Sequence, residues 1–137
     1  MIDLDYLNSQ LELLKKDRTS EDAFCNLTEL DLAYLPAIIE RFNAEAAVRF
    51  RLALIRVIWE FRNPMAVPTL LAAVGDPCDE IVLAALDGLV TIGGELATIG
   101  MQEAISKIPE GSPRKAWIEE ALEQTESARK LTTPISD

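Results

Sequence analysis

The side chains of this chain that could do chemistry are carboxylates and two thiols, because histidine is absent from all 137 positions. Without imidazole there is no Ser-His-Asp or Cys-His arrangement, no histidine general base and no ordinary transition-metal site. Two carboxylate pairs stand out, Asp79-Glu80 and Glu119-Glu120. General acid-base work needs two carboxylates facing one substrate, and adjacent residues on a helix point about 100° apart. They read instead as a capping turn and a solvated face. Asp76-Pro77-Cys78-Asp79-Glu80 lacks the alternating oxygen ligands around a glycine turn that calcium requires. Cys78 lies near a helix start, where a thiol can be acidified, but it has no neighbouring base in the sequence. Gly93-Gly94 ends a helix rather than opening one after a strand, so it cradles no phosphate. These residues predict no catalysis, no metal and no cofactor.

Those candidates have to be positioned by helices. Asp3 is placed to cap a first helix over 4–16, with Leu4, Leu7, Leu11 and Leu14 on one stripe. Thr19-Ser20-Glu21-Asp22 reads as a second start, a hydroxyl cap followed by acids that favour the positive end of the helix dipole. Leu35-Pro36 opens a third helix to about Phe42, since a proline in the first turn lacks an amide that would be unpaired there anyway. Further helices are expected over 46–61, 65–74, 79–92, 95–107 and 113–127, punctuated by Gly75-Asp76-Pro77, Gly93-Gly94 and Pro109–Pro113. No segment alternates with period two. The prediction is all-α, one domain over 1–127 with a polar, frayed tail at 128–137. A chain of this size buries roughly 68% of the surface it exposes when unfolded.

The same helix-pair pattern occurs twice, 31 residues apart, running from Phe50-Arg51-Leu52-Ala53-Leu54 to Ala66-Val67-Pro68 and from Ile81-Val82-Leu83-Ala84-Ala85 to Ala97-Thr98-Ile99. A shifted copy lies upstream. Units this short cannot bury an apolar face alone and must stack into one continuous core. The pattern resembles the HEAT repeat family, in the short bacterial form also seen in phycobilin lyases. Asn63-Pro64-Met65-Ala66-Val67-Pro68-Thr69-Leu70-Leu71 is similar to the family's opening of helix A, Gly75-Asp76-Pro77 to its inter-helix turn, and Ile81 to Gly93 to its helix B. The resemblance implies an α-helical solenoid of about four stacked antiparallel helix pairs, and it implies a fold rather than an activity. It also implies an Asp–Arg ladder between repeats, with Arg51 facing Asp31 or Asp76; Val82 stands where the next arginine belongs. The aspartate before helix A occurs as Asp31, then becomes Asn63 and Gly94. Iron-binding members of the family use histidine, which excludes that activity here.

The family's core positions fall on Phe50, Ala53, Leu54, Val57, Ile58 and Phe61, then on Ile81, Ala84, Ala85, Gly88, Leu89 and Ile92. A second apolar stripe runs beside them as Leu52, Ile55 and Trp59, repeated as Leu83, Leu86 and Val90. The spacing i, i+3, i+7 sets each triplet along one helix face. Two readings stay open. The helices lie between layers and bury both faces, or the six residues form an exposed ridge on the concave side, with Trp59 as a protein-binding anchor. Arg49 and Arg56 share a face of the same helix and are expected to neutralise acids on neighbouring repeats.

The formal charge is −10, and it is uneven: residues 1–31 carry −5, 32–63 carry +2, 64–112 carry −6 and 113–137 carry −1. Acidic surfaces repel phosphate backbones, so nucleic acid is a poor partner and a basic protein a better one. No apolar run approaches the roughly 20 residues of a membrane helix. Met1-Ile2-Asp3-Leu4-Asp5 lacks the basic flank of a signal peptide, and Cys25 and Cys78 suggest neither a disulfide framework nor zinc spacing. The expectation is a cytoplasmic, non-enzymatic protein-binding module, such as an immunity, inhibitor or adaptor protein that masks a basic partner. The alternatives are a small-molecule chaperone or lyase like the phycobilin-attaching proteins, or a structural subunit that self-assembles, and the oligomeric state is left open.

Overall fold

The computed structural model describes residues 2–132. Eight α-helices follow one another: α1 Leu4–Leu14, α2 Ser20–Thr28, α3 Leu35–Ala44, α4 Val48–Glu60, α5 Val67–Ala73, α6 Asp79–Ile92, α7 Glu95–Ser106 and α8 Pro113–Thr132. The last helix continues five residues beyond the expected end at 127, so part of the expected tail is helical; 133–137 lie outside the described residues. Among the described residues there is no strand.

Local chemistry sets most helix starts. Asp3 caps α1 by accepting a hydrogen bond from the Tyr6 amide at 3.0 Å. Thr19, expected to cap α2, does not: its hydroxyl donates to the Leu13 carbonyl at 2.7 Å, stitching the α1–α2 turn instead. Asp31 and Asn63 play one role in successive repeats. Each side chain accepts from the amide two residues on, Ala33 at 3.1 Å and Met65 at 2.9 Å. Each thereby fixes a single 3-10 turn, Leu32–Tyr34 and Pro64–Ala66, that leads into α3 and α5. Asp31 is therefore a cap, and Arg51 pairs elsewhere. Gly94 holds the corresponding place before α7 with no side chain to offer, and the chain turns there on two glycines at φ 66° and 93°.

The helices form two layers. Within each pair, α1 packs on α2, α3 on α4, α5 on α6 and α7 on α8, while the second helices pack in the order α2, α4, α6, α8. Arg51, near the start of α4, meets Asp76 just before α6, and Trp59, near its end, meets Gly88. The two helices therefore run side by side in the same direction, as successive turns of a solenoid do. One core runs between the layers, with Leu11, Leu27, Ile38, Leu54, Ile58, Leu70, Ile81, Leu89, Met101 and Ile118 all essentially inaccessible. Full burial of one such aliphatic side chain stabilises by about 1.5–3 kcal/mol, which is why the layers do not separate.

A clamped turn and a solvent-facing helix row

Two assemblies of polar and apolar side chains emerge from this stacking. The first surrounds the turn Gly75–Cys78. Asp76 Oδ1 accepts from the Cys78 amide at 2.9 Å, which shapes the turn. Its Oδ2 accepts from Arg51 Nη1 at 2.6 Å, and the side chains of the pair are only 20% and 9% exposed. The Arg51 guanidinium also lies 4.5 Å from the centre of the Phe42 ring, so the Asp76 carboxylate and the ring together hold it in place. From the opposite side Arg114 donates to the Asp76 carbonyl at 2.6 Å, to the Pro77 carbonyl at 2.9 Å and to Asp79 Oδ1 at 2.8 and 3.1 Å. One turn is thus gripped by α4 and by α8. Val82 breaks the arginine ladder at α6, but Arg114 of α8 reaches the same loop where it enters α6. Nothing in the repeat pattern marks Arg114, because it falls outside the 31-residue register.

The second assembly is the outward row of α4, α6 and α8. The six residues of the second stripe separate here. Ile55 is fully buried and Leu86 is 4% exposed, so these two belong to the core between second helices and not to a free surface. The reason is the close side-by-side packing of α4, α6 and α8, which covers the flanks of each. Trp59 is half-buried: its Cβ and Cγ would lie 2.6 and 2.8 Å from a methyl group on Gly88, so the ring root sits directly on that glycine. Its indole Nε1 is buried with no hydrogen-bond partner among the described residues. Trp59 is thus a packing residue of α4 against α6. Leu52 and Val90 are half-buried, and Leu83 stands out at 42% exposed.

Around Leu83 a shallow groove of about 140 Å³ opens between α6 and α8, lined by Leu83, Val90 and Trp117 with Asp87, Glu120 and Gln124. Among the described residues its charged lining is Asp87 and Glu120, both acids. Trp117 was not singled out from the sequence; its distance from the repeat core hid it, although Ile118 beside it carries the helix into the core. A larger groove of about 780 Å³ lies between the α1–α2 turn and α4, where Lys15, Arg49 and Arg56 alternate with Asp17, Glu45 and Glu80 around Phe50, Leu52 and Ala53. Arg49 and Arg56 were expected to neutralise acids of neighbouring repeats. Both are exposed, and neither makes an ion pair within 4 Å among the described residues.

No helix among the described residues is long and apolar enough to cross a membrane. No curated protein and no solved structure matches the chain. The family model for HEAT repeats matches residues 35–123. That span covers α3 to the middle of α8, including both copies of the echoed pattern and the turn clamped by Arg51. The chain belongs to the HEAT repeat family.

Proposed function

We propose that this protein is a non-catalytic binding module that docks a basic protein on the outward face of α6 and α8, in a complex of the inhibitor or adaptor kind. HEAT repeats are generally protein-interaction modules, which sets the class. The observation that carries the finer reading is the exposed Leu83 in a groove whose charged lining, among the described residues, is Asp87 and Glu120. A groove of this size seats one side chain. An arginine or lysine of the partner can lay its aliphatic stem on Leu83 and Trp117 and set its charge between the two acids. The protein's −10 charge adds long-range attraction and raises the encounter rate. Free thiols at Cys25 and Cys78 suit a reducing compartment such as the cytoplasm.

Capture from native extract on the immobilised protein tests the reading, with Leu83→Glu and Glu120→Arg as matched surfaces. One basic binder that both variants lose supports it. Binders that are acidic, or that both variants retain, overturn it. Association that slows as salt rises, with dissociation little changed, is the expected kinetic signature.

A further inference from the structure

The 31-residue echo relates more than the core. Applied to the outward face it carries Arg49 onto Glu80, Leu52 onto Leu83 and Arg56 onto Asp87. The leucine is kept and both charges are inverted. All four charged residues are exposed, and none of them makes an ion pair among the described residues. Because α4 and α6 lie side by side and run the same way, the face presents two parallel rows, Arg-Leu-Arg and Glu-Leu-Asp. Packed helices of this kind stand about 8–10 Å apart.

A surface of this design is complementary to itself. We infer that α4 and α6 form an isologous contact with a second copy of this chain, related by a two-fold axis parallel to the helices. That axis exchanges the two rows. Arg49 then faces the partner's Glu80, Leu52 the partner's Leu83 and Arg56 the partner's Asp87, and every contact occurs twice. A two-fold axis across the helices would set arginine on arginine and acid on acid, which like-charge repulsion disfavours. The charge inversion therefore selects both the occupant and the orientation.

Size sets the strength. Two helices of this length, each about 20 Å long, offer on the order of 400 Å² per copy, or about 800 Å² in total, below the roughly 1,200 Å² of a stable specific interface. The dimer is weak, forms at high protein concentration and depends on salt. It shares Leu83 and Asp87 with the groove proposed for the basic partner, so the two contacts exclude each other on one copy. Because self-association is measured with no other protein present, its failure is distinguishable from a failure of partner binding.

Sedimentation equilibrium at low salt, up to millimolar protein, shows a monomer–dimer equilibrium for the unmodified chain. The double variant R49E/R56E makes both rows acidic, and E80R/D87R makes both rows basic. Each weakens self-association more than tenfold, with helical content by circular dichroism unchanged. Mixed in equal amounts, the two variants form a heterodimer, because an acidic row then faces a basic row at both halves of the contact. A wild type that stays monomeric throughout overturns the contact, as do folded variants that self-associate like the wild type or fail to pair with each other. A wild-type dimer unchanged at about 1 M salt, where the Debye length is about 3 Å, overturns it without any variant.

Discussion

Asp76 carries two jobs on one carboxylate, shaping the turn through the Cys78 amide and receiving Arg51. Removing a buried acceptor that serves a charged donor leaves that donor unpaired, and this costs about 2–3 kcal/mol. Asp76→Ala is therefore expected to lower unfolding free energy by about that amount in urea titration. Arg51→Ala should cost less than Asp76→Ala, because the turn hydrogen bond survives, and the double mutant should fall well short of the sum. Two glycines give a second comparison. At Gly88 an added methyl meets Trp59 Cβ, which is fixed to the α4 backbone, so Gly88→Ala forces the helices apart and costs about 1–3 kcal/mol. At Gly100 the obstacle is the far end of Leu71, which can rotate away. Gly100→Ala also gains about 1 kcal/mol of helix propensity, so near-neutral stability is expected. Thermal or urea melts of the two variants distinguish these outcomes directly. At this scale the sequence was partly legible. Arg51 and Asp76 were visible as ladder partners because the repeat has a register. Arg114 was not, because its partners are mostly backbone carbonyls, which no residue type announces.

Among elements, α4 and α6 show what an apolar helix does when it has neighbours on three sides. Their periodicity predicted both stripes, and the helix boundaries agree to within two residues. The burial of the second stripe was not readable from either helix alone, since Ile55 and Leu86 are covered by side-by-side packing within the second-helix layer and Leu83 is not. This gives a sharp expectation. Ile55→Ala should cost about 2–5 kcal/mol by leaving a cavity, whereas Leu83→Ala should stay within about 0.5 kcal/mol of the parent, as surface changes usually do. Equal losses at the two positions would mean that Leu83 is covered in solution, and dilution would then show whether a second copy covers it. Trp59 belongs with Ile55 in this comparison. Its truncation tests the packing of α4 on α6 and not partner binding alone.

At the level of the whole molecule, α6 is the element with helices of the core on the most sides, touching α4, α5, α7 and α8. In a stacked array the end units have one neighbour and the inner units two, so stability falls toward the ends. Amide hydrogen exchange followed by mass spectrometry should find the slowest amides in α4 and α6, with faster exchange in α1 and α7. Uniform protection along the chain would contradict a picture of neighbour-by-neighbour stacking. The overall solenoid was readable from the 31-residue echo because repetition multiplies a weak local signal. The function was not, since repeats specify how units stack and leave the partner to a few outward side chains.

The turn at Asp76 also has a mechanical side. Arg51 grips it from α4 and Arg114 from α8, so anchors on the two helices that flank α6 converge on a single loop. Pulled by its ends, a solenoid without such staples peels one helix pair at a time in small, evenly spaced steps. Here the stretch from α4 to α8 should resist as a single block and then yield in one long extension, while α1 and α2 slip off earlier at low force. Cutting the staple with Arg114→Ala should return the trace to a staircase, which would make this loop the rivet that turns a string of springs into a stiff rod.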